Sequence, residues 1–184
     1  MERSLLIGCG SNLTKQVQLD GKAEWAGELT TLDMNPDCKP DILFDMDSIG
    51  RTRHPEISIS GDRLPFEDST FDEIGAYNVM EHWGSQGDWR GWFAEMAEYH
   101  RILKPRGTMS ILVPVGQDAL ADPGHTRFFH SNYFGFLSQA FYERNEVKET
   151  CFTDYRWYWK LDFEIVFAEQ QGDHHLAVIL RKVP

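Results

Sequence analysis

A short apolar run that stops at two glycines, Leu5-Leu6-Ile7-Gly8-Cys9-Gly10, restricts this chain more than any other stretch. Residues 4–7 have the length and character of a buried strand. A glycine at its end lets the backbone approach a ligand closely, because glycine has no Cβ and accepts left-handed dihedrals. Asp33 closes a second strand-like run over residues 29–33, 23 positions after Gly10. That is close to the ~20-residue offset at which an acidic side chain receives ribose hydroxyls in open α/β sheets.

The chain goes on alternating short apolar runs with helical periodicity, the pattern of an α/β sheet. Residues 41–44, 73–78 and 108–113 read as third, fourth and fifth strands. Before the fifth, Trp92, Phe93, Met96, Tyr99 and Leu103 recur at spacings of three and four, which predicts a helix over 89–103 ended by Lys104-Pro105-Arg106-Gly107. A second helix is expected over 131–139 with Ser131 as its N-cap. Residues 14–25 lack a clean helical period, so a helix there is short or missing. The last two runs, 161–169 and 175–182, joined by Gln170-Gln171-Gly172-Asp173, read as an antiparallel hairpin. With 184 residues and no repeat, low-complexity tract or Ser/Gly linker, one domain over 1–184 is expected.

Composition narrows the function classes. Cys9, Cys38 and Cys151 are odd in number and lack a CxxC spacing, which argues against a disulfide framework and a structural zinc site. No set of His, Cys and carboxylates has metal-ligand spacing, so no metal is expected. Met1-Glu2-Arg3-Ser4 carries no signal-like region and no apolar run is long enough to span a bilayer, so a cytoplasmic protein without membrane contact is expected. A net charge of -11 repels a phosphate backbone and makes duplex nucleic acid an unfavourable partner. Arg51 with Arg53, and Arg101 with Lys104 and Arg106, form two local basic groupings, for which solvated surface charge is the ordinary explanation.

The glycine turn alone suits several nucleotides. Leu13 stands where a dinucleotide turn wants a third small residue, so the helix packing that accompanies a pyrophosphate is not supported. S-adenosylmethionine carries a cationic sulfonium and no phosphate, needs neither that glycine nor a basic loop, and tolerates acidic surroundings. Further motifs follow in order: Leu32-Asp33-Met34-Asn35-Pro36, Leu64-Pro65-Phe66-Glu67-Asp68-Ser69-Thr70-Phe71-Asp72, Asn78-Val79-Met80-Glu81-His82 and Arg101-Ile102-Leu103-Lys104-Pro105-Arg106-Gly107. In this order and spacing, residues 4–115 resemble the class I, Rossmann-like S-adenosylmethionine-dependent methyltransferases. Gln86-Gly87-Asp88-Trp89 and Phe136-Leu137-Ser138-Gln139 are similar to segments of compact bacterial and bacteriophage members.

The resemblance implies a mostly parallel central sheet flanked by helices, with a C-terminal antiparallel hairpin. By position it implies Gly8 and Gly10 beside the methionine part of the cofactor, Asp33 on the ribose diol, and Asp62 on the adenine amino group with the Arg63 backbone beside the ring. Asp45, at the end of the third strand, is the rival of Asp62. Asn78, Glu81 and His82 would lie over the cofactor. Three positions depart from the pattern: Leu6 where many members are acidic, Asn12 in place of a third glycine, and Arg106 in place of a glycine after Lys-Pro.

For the acceptor, the chain lacks the Asn/Asp-Pro-Pro-aromatic turn of exocyclic base methylation, having Asn78-Val79-Met80 instead, and lacks a Pro-Cys nucleophile. Asp122-Pro123-Gly124-His125-Thr126-Arg127 is similar to an acceptor-side stretch of related small methyltransferases. There His125 and His82 would serve as base or hydrogen-bond partner, and Arg127 would fork onto a carboxylate or phosphate. Asp122 and Arg127 equally suit a loop-bracing role. Phe128, Phe129, Tyr133, Tyr155, Trp157 and Trp159 suit an apolar pocket or, more often, a core. His174 and His175 flank the expected hairpin turn and should be exposed. A methyltransferase acting on a small molecule is the leading expectation. The alternatives are a methyltransferase-like cofactor-binding protein acting through partner contacts, kept open by Leu6, Asn12 and Arg106, and a nicotinamide-dependent oxidoreductase, opposed by Leu13 and the hairpin.

Overall fold

The computed structural model describes residues 1–19, 21–49, 63–144 and 152–184. Seven strands form one sheet in the order β3-β2-β1-β4-β5-β7-β6. They are β1 (Arg3–Ile7), β2 (Glu28–Asp33), β3 (Ile42–Leu43), β4 (Phe71–Tyr77), β5 (Leu103–Pro114), β6 (Phe163–Gln171) and β7 (His175–Lys182). The first five run parallel, whereas β7 pairs antiparallel with both β5 and β6. This is the mixed sheet, closed by a C-terminal hairpin, that the Rossmann-like resemblance implies. The reversal of strand order between β1 and β4 leaves a crevice at the carboxyl ends of the strands, where ligands bind in open α/β sheets.

The two faces of the sheet are covered differently. Alternate residues of the central strands, Leu5, Ile7, Ile74, Ile111 and Val178, face the main core, on which α1 (Trp89–Ile102) buries Trp92, Phe93, Met96 and Tyr99. Asp88 caps that helix by accepting from the Gly91 N–H at 3.0 Å. The opposite face, with Leu6, Tyr77, Leu112, Ala177 and Ile179, packs against Val17, Leu19 and Trp25 of the 13–26 segment. Among the described residues no helical side chain joins this cluster, in keeping with the short or missing helix expected over 14–25.

The irregular segment is held by polar contacts instead of helical regularity. The Glu73 carboxylate accepts from Ser4 Oγ at 2.9 Å, from the Ala26 N–H at 2.6 Å and from Lys15 Nζ at 2.6 Å. The expected second helix is also different. Residues Ser131–Leu137 form a 3-10 turn followed by the short α3 (Gln139–Glu143), and α2 (Gly116–Ala121), not foreseen in the sequence, precedes it. Phe134 and Leu137 are both buried at a spacing of three, which the tighter helix brings onto one side. His130, not Ser131, caps this turn through Nδ1, which accepts from the Asn132 N–H at 3.2 Å.

Replacing Glu73 by alanine leaves the nearly buried Lys15 ammonium without its carboxylate. Breaking such a pair costs about 3–5 kcal/mol. Urea unfolding of Glu73→Ala should show that loss, together with faster proteolysis within residues 13–26.

Candidate functional site

The crevice at the strand ends is a cleft of about 650 Å³. Gly8, Leu32, Asp33, Phe44, Asp45 and Val79 are among its walls. Gly8 and Gly10 both have left-handed φ, +60° and +47°. A Cβ at Gly8 would lie 2.0 Å from Val79 Cγ2, whereas one at Gly10 would meet nothing within 4 Å. The first glycine thus lets the turn close under Val79, and the second leaves open space above the turn. Asp33 ties this together: Oδ2 accepts from the Gly10 N–H and Oδ1 from the Asn35 N–H, each at 2.9 Å. A carboxylate oxygen has a second lone pair, so both remain able to accept from a ligand's hydroxyls.

The charge of this cleft selects among nucleotides. Asp33, Asp45 and Asp47 line it, and no lysine or arginine does among the described residues. Among the described residues a pyrophosphate would meet three carboxylates and no cation, while a sulfonium is attracted to them. Asp45 caps the turn after β3, accepting from the Asp47 N–H at 3.0 Å. Asp62 lies outside the described residues. Arg63 is exposed and turned away from the cleft, towards Glu98 at 3.5 Å and Asp68 at 3.6 Å.

Asn78, Glu81 and His82 lie on the turn after β4, but of the three only His82 borders this cleft. Asn78 takes a left-handed φ of +49°, and its N–H donates to the Leu112 carbonyl at 2.7 Å. With Glu81 and His82 it lines a second cleft of about 620 Å³, completed by Pro114, Asp122, His125 and His175. His82 is therefore common to both. The His82 and His125 rings meet edge to face at 4.8 Å. His125 Nδ1 lies 2.9 Å from the Ala119 carbonyl, which fixes Nδ1 as donor and leaves Nε2 as acceptor. Glu81 is 1% exposed, and burial pushes its carboxyl up to about 7. His175, expected to be exposed beside a turn, is partly buried in this cleft.

Arg127 lines neither of these two clefts. It is 1% exposed, and its Nη1 donates to Glu95 Oε2 at 2.8 Å. Glu95 Oε1 accepts from Trp83 Nε1 at 2.8 Å and from Tyr99 OH at 3.0 Å. The guanidinium lies over Trp92 at 5.2 Å. Of the two roles open to Arg127, this geometry is the bracing one. The basic grouping around Arg101 is similarly engaged, with Arg101 donating to Glu98 at 2.7 Å and Asp68 at 2.9 Å, and Lys104 to Asp72 at 2.6 Å. Phe129 and Trp159 belong to the core, and Trp157 is 64% exposed. Tyr133 and Tyr155 border a small aromatic cavity of about 170 Å³ beside Trp89 and Trp92.

Comparison with known proteins agrees with this geometry. Residues 5–111 match the family model described as a methyltransferase domain. The chain belongs to that family, within the class I S-adenosylmethionine-dependent methyltransferases, and S-adenosylmethionine is its cofactor. No curated protein matches the chain. Among solved structures, the chain is similar to a putative methyltransferase of Haloferax volcanii in complex with the Trm112 methyltransferase activator, with a TM-score of 0.55 at 14% identity over 100% of this chain and 82% of that one. A SAM-dependent methyltransferase of Aquifex aeolicus gives 0.52 at 12% over 99% and 82%. The YcgJ protein of Bacillus subtilis gives 0.53 at 12% over 100% and 92%. At these identities the likeness is one of fold. Among the described residues, no helix is long and apolar enough to cross a membrane.

Two substitutions separate ligand binding from bracing. Asp33→Ala should weaken S-adenosylhomocysteine about 10- to 150-fold by calorimetry, the loss of hydrogen bonds to a charged group. NAD should bind neither protein. Arg127→Met should instead cost about 3–5 kcal/mol of stability in denaturant unfolding, because Glu95 loses its cation.

Proposed function

We propose that this protein transfers the methyl group of S-adenosylmethionine to a small polar molecule held in the cleft that His82 and His125 both line. The observation that carries this reading is His82, which borders both the adenosyl cleft and the second cleft and so marks the junction between them. When bound, the cofactor supplies a methyl carbon activated by the adjoining sulfonium. The protein's task is then chiefly to orient the acceptor, since holding two reactants in line is worth several powers of ten in rate.

The residues divide by position. Gly8 and Gly10 border the methionine part of the cofactor, and Asp33 takes the ribose hydroxyls. Asp45, just past β3 and on the cleft wall, is placed to take the adenine amino group, the role for which the sequence puts Asp62 first. Across the junction, His82 and His125 present nitrogens to the acceptor, with the His125 tautomer set by Ala119. Asn78 and Glu81 bound the acceptor side and not the cofactor side. The second cleft has no lysine or arginine among its described walls, and the chain carries a net charge of -11, which favours a small acceptor over a phosphate backbone.

Transfer of radiolabelled methyl from S-adenosylmethionine into fractionated cell extract tests the proposal. Label should enter the low-molecular-weight fraction, and His125→Ala should lower the rate by about 100-fold, the scale on which a misplaced acceptor loses its alignment with the methyl group. Label in protein or nucleic acid would overturn the small-molecule acceptor. No transfer to any fraction, with tight cofactor binding retained, would favour a binding protein.

A further inference from the structure

From the side chains gathered in the acceptor cleft we infer a binding site for a divalent transition-metal ion of the zinc type, held by Glu81, His82 and His125. This inference rests on the acceptor assignment above. The three residues place one ligand atom each within 4.8 Å of one another. Glu81 Oε1 lies 4.0 Å from His82 Nε2 and 3.9 Å from His125 Nε2. Four ligands about 2.1 Å from a tetrahedral ion stand ~3.4 Å apart, so the two pairs made by Glu81 need to close by about half an ångström and the widest pair of the group by up to about 1.4 Å, within reach of side-chain rotation. Asp122 Oδ2, 4.0 Å from His125 Nε2, is placed to be a fourth ligand or to leave that position to the acceptor.

The second observation is independent of the clustering. Glu81 Oε2 is buried without a hydrogen-bond partner, although the residue is 1% exposed. A buried carboxylate oxygen left unpaired is costly unless a cation or donor stands beside it. The other oxygen of the same carboxylate, Oε1, is the one that faces the two imidazole Nε2 atoms. His125 is also arranged as a metal-bound histidine is, with Nδ1–H committed to a backbone carbonyl and Nε2 facing the cluster. The frame beneath is fixed, because the Glu81 carbonyl accepts from the Thr126 and Arg127 N–H groups at 2.8 and 3.2 Å. Two nitrogens and one carboxylate suit zinc and its first-row neighbours, whereas magnesium and calcium prefer all-oxygen sites. Such an ion would face the cleft and engage a lone pair of the bound acceptor.

The test uses tag-free, full-length protein stripped with chelator and kept free of cofactor. Titration with zinc chloride by calorimetry should give one equivalent bound with a Kd of about 1 µM or tighter. Cobalt(II) should add visible absorption bands of a low-symmetry site. Glu81→Gln and His125→Asn should each weaken zinc by at least about 100-fold while S-adenosylhomocysteine affinity stays within about twofold, which shows the fold intact. No site tighter than about 100 µM, unchanged zinc affinity in both variants, or selectivity for magnesium would overturn the inference. Methyl transfer that proceeds fully in chelator, with no zinc bound, would remove the metal site and leave the proposed transfer standing.

Discussion

Glu95 and Arg127 leave water together, and the wall of the second cleft hangs on their contact. A carboxylate and a guanidinium in a low-dielectric interior each carry a desolvation penalty of several kcal/mol, recovered only if geometry and further hydrogen bonds are good. Glu95 meets this with three donors, from Arg127, Trp83 and Tyr99. Arg127 adds the face of Trp92, while its Nε stays without a partner. The pair joins α1, the turn after β4 and the loop after α2. Gly84 is part of the same arrangement: a Cβ there would lie 2.1 Å from Arg127 Nη2. Because the Arg127 N–H also donates to the Glu81 carbonyl, the position of Glu81 relative to His125 follows from the buried pair.

The first cleft, walled by Gly8, Asp33 and Asp45, depends on a different arrangement of charge. Its three carboxylates are each tied to backbone: Asp33 to Gly10 and Asn35, Asp45 to the Asp47 N–H, and Asp47 to the Gly84 N–H at 2.7 Å. Their negative charge is thereby fixed in place before any ligand arrives, which is preorganisation for a cation. Asp47 also links this cleft to the turn at residues 83–84 that packs on Arg127. The two clefts therefore share a wall built from the turn after β4, with His82 exposed to both.

What the sequence revealed, and what it hid, divides along chain distance. The strands, α1 and the hairpin were legible because apolar periodicity is local. The Gly8, Gly10 and Asp33 constellation was legible because close backbone approach and a strand-end carboxylate demand fixed residue types at fixed offsets. Arg127 pointed to two roles, since its partner lies 32 positions away. A clue was present: Glu95 falls on the same helical face as Trp92, Met96 and Tyr99, and a charged residue inside an apolar stripe implies a buried partner. The gathering of His125 with Glu81 and His82 was not legible from spacing, because β5 and α2 intervene and the loop after α2 folds back onto the turn after β4.

Leu6 shows why one departure from the family pattern is compatible with the fold. Its side chain is 1% exposed and lies on the face covered by residues 13–26. No helix supplies a broad apolar stripe there among the described residues, so cover depends on a few large side chains, Val17, Leu19 and Trp25, landing on apolar strand residues. Gly75 makes room for the largest of them: a Cβ at that position would lie 2.6 Å from the Trp25 ring. An acidic residue at position 6 would put a second carboxylate into the cluster whose edge already carries Glu73, with Lys15 as the cation bound to it. A buried charge without its own partner costs more than the apolar packing it replaces. The leucine therefore belongs with the irregular segment, and the negative charge at the strand ends is carried by Asp33, Asp45 and Asp47 instead.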